Sequence, residues 1–479
     1  QTWVNKALVY THGYGTVMIP VDRASNGLPE FFIKDIPPQS VAGLPVERPE
    51  IYFGEKSSEY ALVNTDTKEF DYPSGDQNIF STYQGNAGVN LDPFNKLVYA
   101  VKFKSFEIFL SNSLTSDSRI LLNRNIIERA SKIAPFLYFD QDPYIVLDGG
   151  RLYWLMDAYT LTDAYPYSEM YATRNGGFNY MRNSVKVVVD AYNGDVTYYV
   201  MEDEPIISTY RKIFPEIFKD FNDMPDGLKA HIRYPEDMFT VQASIYSTYH
   251  MKDPQVFYNR EDVWVTPDEI YRDGRRPMLP YYIIMKLPGE EKEEFVMIMP
   301  FTPKGKENMI AWVAAKSDVP NYGEMVVYSF SKQTLAYGPM QIEARIDQDT
   351  DISQSLTLWD QSGSSVIRGN TLVIPIKNSI MYIEPLYLEA NEKGTLPELK
   401  RIIVAYGDRL TMKETLNEAI EEIFGTTVAE PGAPAKTSEQ TLAELETIYR
   451  KAQDALRQGD LTRYAEYMDE VGRLLGINS

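Results

Sequence analysis

Residues 185–200 read VKVVVDAYNGDVTYYV. Two runs rich in Val and Tyr flank Asn193-Gly194, a pair that readily takes the positive φ a tight antiparallel turn requires. The stretch predicts a β-hairpin, and the same pattern recurs on both sides of it. Residues 144–147 and 152–156 flank Asp148-Gly149-Gly150, and residues 281–287 and 294–299 flank a longer loop containing Pro288-Gly289. Residues 325–330, 372–376 and 379–383 read as further strands; Pro375 cannot donate to a ladder, which places its strand at an edge or a bulge. The chain holds 35 Tyr and 21 Phe, residues suited to pleated, half-buried surfaces.

Helical segments interrupt the strands. In 123–134, Ile126, Ile127, Ala130, Ile133 and Ala134 have the spacing of one buried helical face, and Pro135 ends it. Residues 205–218 predict a helix broken near Pro215, 235–249 a second, and 415–424 a third with Gly425 as its C-terminal cap. Residues 426–439, rich in Pro, Gly, Ala and Thr, read as a linker. Beyond it, Leu442, Leu445, Tyr449, Ala452 and Leu456 step by three and four, Gly459-Asp460 breaks the pattern, and Tyr464, Tyr467, Val471 and Leu474 resume it. The expected fold class is therefore α+β: a β-rich mixed body over 1–425, with interspersed helices, and a C-terminal α-helical hairpin over 440–479. Two helices alone bury little surface, so the hairpin must dock on the body, a neighbour or another copy.

Composition excludes several chemistries. The 479 residues include 47 basic and 68 acidic side chains, a formal net charge of −21, three histidines and no cysteine. Disulfides, thiolate zinc sites, iron–sulfur clusters and a cysteine nucleophile are ruled out. The acid excess argues against a sequence-independent grip on nucleic acid, which requires many phosphate-neutralising cations. There is no phosphate-binding Gly-rich loop opening a helix and no His-Glu-x-x-His, so no nucleotide cofactor and no zinc-protease site is expected. No run of about 18 apolar residues occurs, and no basic-then-apolar leader opens the sequence.

Four places remain where chemistry could sit. Val9-Tyr10-Thr11-His12-Gly13-Tyr14-Gly15 reads as a short strand running into His-Gly-Tyr-Gly. That order precedes the oxyanion hole of α/β-hydrolases, but Gly-x-Ser-x-Gly, the companion nucleophile motif, is absent. Thr11, His12 and Tyr14 are accordingly candidate ligand-binding residues, against the plainer reading of a histidine packed in a tight turn. Asp347, Asp349 and Asp351 alternate like the start of a calcium loop, and calcium is the ion they would take. The pattern then fails at Ile352 and Leu358, where Gly and Glu belong, which leaves a solvated acidic loop as the alternative. Carboxylate pairs such as Glu343 and Asp347 could serve a glycosidase, yet these lie between strand-like segments and carry little signal among 68 acids. Tyr153, Trp154, Tyr159, Tyr165, Tyr167 and Tyr171 crowd one stretch with Asp157, Asp163 and Glu169 between them. Flat rings beside acids can hold sugars, while core packing is the plainer account. The basic residues over 272–276 read as a surface loop.

The strings NKALVYTHGYG from Asn5, LPEFFIKDIPP from Leu28, RPEIYFGE from Arg48, NRNIIERASKIAPFL from Asn123, HIRYPEDMF from His231, GPMQIEARIDQD from Gly338 and VIRGNTLVIPI from Val366 resemble uncharacterised protein family 0182. The resemblance covers essentially the whole chain. It implies a part of a bacterial or cyanobacterial multi-pass membrane protein: the large extracytoplasmic domain that follows the N-terminal transmembrane helices, on the outer face of the cell membrane. It implies no reaction. The expected function is binding of an envelope ligand or partner protein without catalysis. A carboxylate-dependent envelope glycan hydrolase or transferase, and an assembly scaffold acting through the C-terminal hairpin, are the alternatives. Expected partners are the parent's own transmembrane helices, an envelope polymer or protein, and a second copy of the chain.

Overall fold

The computed structural model describes residues 2–21, 24–173, 176–272, 274–331, 336–361, 363–376, 379–391, 395–425 and 450–451. The chain divides into two compact units, Gln1–Leu410 and Thr411–Ser479. Strands and helices alternate irregularly in the first unit, which is α+β. The expected linker over 426–439 and nearly all of the expected hairpin over 440–479 lie outside the described residues.

The hairpin read from residues 185–200 forms Tyr180–Asp190 and Val196–Val200, with Gly194 at φ 70°. Its first strand also pairs with the twelve-residue Arg151–Thr162, which in turn pairs with Tyr144–Asp148 and Tyr138–Phe139. Phe218–Asp220 joins the far side in parallel. Both faces of this six-stranded sheet are covered. Val185, Val187 and Val189 pack with Ile126 and Ala130 of the helix Ile126–Ile133, whereas Val188 and Leu155 pack with Met224, Leu228 and Ile232. Double coverage explains why the strand reads as nearly continuous valine instead of alternating apolar and polar residues.

Two larger sheets lie further along the first unit. One holds Tyr281–Lys286, Glu293–Pro303, Ala311–Lys316, Met325–Ser329 and Trp264–Val265, all antiparallel. The other holds Ser364–Arg368, Leu372–Ile376, Ser379–Ala390 and Glu398–Tyr406. Pro375 lies in an outer strand that pairs with Ser379–Ala390, as its missing N–H demands.

The helices begin where the sequence supplies caps. Asn125 accepts the Glu128 N–H at 2.9 Å to open Ile126–Ile133, and Glu204 accepts the Ile206 and Ile207 N–H groups at 2.9 and 2.8 Å to open Pro205–Ile213. Glu236–Tyr249 follows as expected. In the second unit, Thr415 and Glu418 form a capping box that opens Leu416–Phe424, and Gly425 closes it at φ 70°.

Three local readings need correction. The expected short strand at Val9–Thr11 is absent: Val9 ends the π-helical turn Asn5–Val9, closed by the Tyr10 N–H on the Asn5 carbonyl at 2.9 Å, and only Gly13–Tyr14 of the motif is a strand. A short apolar run does not separate strand from helix by periodicity, and burial of Ala7 and Leu8 against Leu62 and Leu91 decides it. The acidic run 347–351 is not a loop; it joins the helices Pro339–Gln348 and Thr350–Trp359. The basic segment belongs to a small hairpin, Asp268–Tyr271 with Gly274–Pro277.

Gly194 combines positive φ with a close neighbour, since a Cβ there would meet the Phe53 ring at 2.6 Å. Gly194→Ala is expected to destabilise the protein by about 2–3 kcal/mol, from left-handed strain plus overpacking. A urea-unfolding midpoint unchanged from wild type would refute this.

Candidate functional site

The N-terminal motif folds inward. Thr11 is fully buried, and its hydroxyl donates to Glu69 Oε2 at 2.5 Å. The Tyr52 hydroxyl donates to the same oxygen at 2.8 Å, and the Tyr83 N–H donates to Oε1 at 3.0 Å. Beside this carboxylate the buried Arg124 guanidinium donates to the Tyr52 carbonyl at 2.8 Å, the Ser58 hydroxyl at 2.7 Å and the Thr11 carbonyl. Burial lowers the Arg124 pKa to about 10 against the attraction of Tyr52 and Glu69, which leaves it cationic at neutral pH. Burial and then the adjacent Glu69 push the Tyr52 hydroxyl far up, so it stays a donor.

His12 packs its ring 4.7 Å from Tyr52. Its Nδ1 lies 3.0 Å from the Gly13 carbonyl, and its Nε2 lies 3.2 Å from Asp71 Oδ1, close enough for an ion pair though off the line of a hydrogen bond. Tyr14 packs 4.9 Å from Tyr72; burial, Tyr72, Asp71 and Glu50 raise its pKa to about 12. The motif is thus built into a polar hub. Its partners Glu69 and Arg124 stand 58 and 113 positions from Thr11, and no local pattern marks them. Glu69→Ala orphans two hydroxyls and one N–H and is expected to cost about 3 kcal/mol. Thr11→Val, which removes one donor, is expected to cost less, and equal losses in denaturant titrations would count against this ranking.

The three aspartates are engaged separately. Asp349 accepts the Asp351 and Ile352 N–H groups at 3.1 and 3.0 Å, capping its helix. Asp347 pairs with Arg368 at 3.0 Å, and the Asp351 carbonyl accepts from the Ser355 hydroxyl at 2.8 Å. Among the described residues no group of three or more His, Asp or Glu side chains is arranged to hold a metal ion.

Arg368 gathers two more carboxylates that the sequence scattered. It bonds Glu384 Oε1 at 2.6 Å and Glu343 Oε2, while Glu343 Oε1 accepts from the Thr371 hydroxyl at 3.0 Å. Glu343 and Asp347 stand four apart on one helix and so share a face, a relation hidden while the segment reads as lying between strands. Burial, then the Glu384 charge, raises the Glu343 pKa despite Arg368; burial likewise raises Glu384. A carboxyl whose folded pKa exceeds its unfolded value contributes stability at low pH that is lost as pH rises through the folded pKa. Glu343→Gln is therefore expected to flatten the fall in stability as pH climbs beyond the ordinary glutamate range. An unchanged slope in melting temperature against pH would refute the raised pKa of Glu343.

A further buried pair sits in the central sheet. Asp157 and Lys186 stand directly opposite in register and form an ion pair. Lys186 also donates to the Arg233 carbonyl at 2.9 Å and lies 4.8 Å from the Tyr322 ring centre. Burial raises the Asp157 pKa and lowers that of Lys186, and their mutual attraction opposes both shifts.

The outward-facing feature is different in kind. A cleft of about 500 Å³ is lined by Tyr167, Glu169, Tyr249, Phe257, Tyr258 and Arg260. One wall is the loop after Arg151–Thr162, and the other is the end of Glu236–Tyr249 with the short helix Pro254–Asn259. Asn179 holds the loop: its side chain accepts the Tyr165 N–H at 3.0 Å and donates to the Tyr165 and Ser168 carbonyls at 2.8 and 3.3 Å. Tyr165 stacks on Tyr180 with ring centres 5.2 Å apart. Tyr249 is set edge-on to Phe257 at 5.2 Å, and Arg260 pairs with Glu169 across the cleft at 3.5 Å. Of the aromatic stretch in the sequence, Tyr159 is buried in the core while Tyr165 and Tyr167 face solvent. The cleft's second wall, more than 70 residues on, was beyond any sequence pattern.

Fold and site together define an α+β protein of mixed sheets with buried polar hubs and an open aromatic cleft. The chain belongs to the Uncharacterised protein family (UPF0182), whose family model matches residues 1–359. It is similar to UPF0182 proteins of Methanospirillum hungatei (57% identity, 99% of this chain, 54% of the relative), Pelotomaculum thermopropionicum (51%, 99% and 53%) and Trichodesmium erythraeum (49%, 99% and 53%). The chain thus spans about half the length of the curated relatives it matches. No solved structure matches it. No helix among the described residues is long and apolar enough to cross a membrane.

Proposed function

We propose that this chain is the extracytoplasmic, ligand-binding part of a membrane protein, and that it acts by contact with an envelope component. The observation that carries the binding reading is the cleft between residues 167–169 and 249–260. It is preformed, with its loop fixed by Asn179 and its rings turned to solvent, and its volume falls within the roughly 300–1,000 Å³ of small-molecule sites. The net charge of −21 keeps such a domain away from anionic membrane surfaces.

A glycosidase reading finds less support. The two carboxyls that meet, Glu343 and Glu384, are 1% and 2% exposed and held by Arg368, so a sugar ring cannot reach them. In the full-length parent, a reporter active only outside the cytoplasm, fused after residue 425, is expected to be active, and an inactive one would place the domain on the wrong side. Binding of the purified chain to isolated cell envelopes is expected to weaken in Tyr167→Ala; undiminished binding would remove the cleft from the account.

A further inference from the structure

The geometry points to a short, uncharged oligosaccharide as the occupant of the aromatic cleft, an assignment that rests on the cleft being the binding site proposed above.

The first ground is the aromatic surface. Tyr167 is fully exposed, Tyr258 is 87% exposed and Tyr249 is half exposed, although rings of this size normally contribute most when covered. The Tyr249 ring and the backbone that carries Tyr167 are held in place. Tyr249 rests on Phe257, the Tyr167 loop is pinned by Asn179, and Tyr167 and Arg260 occupy the left-handed region at φ 60° and 53°. That region costs a non-glycine residue about 1–2 kcal/mol, so the surrounding structure enforces this presentation. A pyranose offers flat C–H faces that fit such rings.

The second ground is the polar pair. Glu169 and Arg260 place an acceptor and a planar donor fork 3.5 Å apart across the cleft. Neighbouring sugar hydroxyls both donate and accept, and so can engage the two groups at once. The Tyr249 hydroxyl lies against the same carboxylate; slight burial and then Glu169 raise its pKa, which keeps it a donor.

The pair also discriminates against other ligands. Glu169 and Arg260 together are net neutral, so a quaternary ammonium or a phosphate gains one attraction only by facing a repulsion of like size. A neutral polyhydroxy ligand meets neither penalty. Binding here needs no covalent step.

The test is calorimetric titration of the 479-residue chain with neutral oligomers of glucose, mannose and N-acetylglucosamine, alongside a proline-rich peptide. At least one saccharide is expected to bind saturably. Tyr167→Ala and Tyr258→Ala are each expected to weaken it about tenfold, and Glu169→Gln several-fold. These side chains are exposed, so melting temperatures should match wild type, and Tyr10→Ala, an exposed ring elsewhere, should leave affinity unchanged. Absence of saturable saccharide binding, or binding undiminished in both tyrosine variants, overturns the saccharide assignment. If the peptide binds instead and is lost in the same variants, the saccharide falls while the cleft survives as a binding site. If neither ligand binds and envelope retention ignores the variants, both readings fall.

Discussion

The antiparallel pairing of Arg151–Thr162 with Tyr180–Asp190 is the constraint on which the first unit depends. Each strand is buried on both faces, so its register cannot be set by keeping a polar face wet. The Asp157–Lys186 pair sets it instead, because the two charges stand directly opposite each other on the face that also holds Val188 and Leu155. A slip of one residue would turn Lys186 toward Ile126 and Ala130 and leave two buried charges unpaired, a penalty of several kcal/mol per ion. A buried pair of this kind adds little to stability by itself; its effect is to exclude the alternative pairings that a valine-rich strand would otherwise tolerate.

The same economy of buried charge organises the periphery. Glu69 draws together Thr11, Tyr52 and Tyr83, and Arg368 draws together Glu343, Asp347 and Glu384. Each hub satisfies polar groups that would be expensive to bury alone. The hubs therefore behave as internal joints: Thr11 and Asp347, conspicuous in the sequence, are drawn into them, His12 packs on Tyr52, and Asp349 caps a helix. The cleft reverses this arrangement, since its rings and its ion pair face outward on backbone conformations that the rest of the unit must hold in place.

Membership of UPF0182 ties this architecture to relatives about twice as long, across diverse organisms. The cleft, the two hubs and the buried pair all lie within one compact unit, so the features argued to bind and those argued to stabilise share a single folded frame.

Local chemistry determined much of this protein from its sequence. Asn193-Gly194 fixed a turn, the apolar spacing from Ile126 to Ala134 fixed a helix, Gly425 fixed a helix end, and Pro375 fixed an outer strand. These are properties of a few adjacent residues, which a linear reading captures. The helical turn at Asn5–Val9 and the helix junction at Asp349 escaped it, because short segments take the conformation that buries their apolar atoms or caps their N–H groups. The contacts between Thr11 and Arg124, between Glu343 and Glu384, and between Glu169 and Arg260 were decided by tertiary structure alone. They join residues 41 to 113 positions apart, and only the packed sheets determine which distant side chains share one low-dielectric pocket or face each other across one cleft.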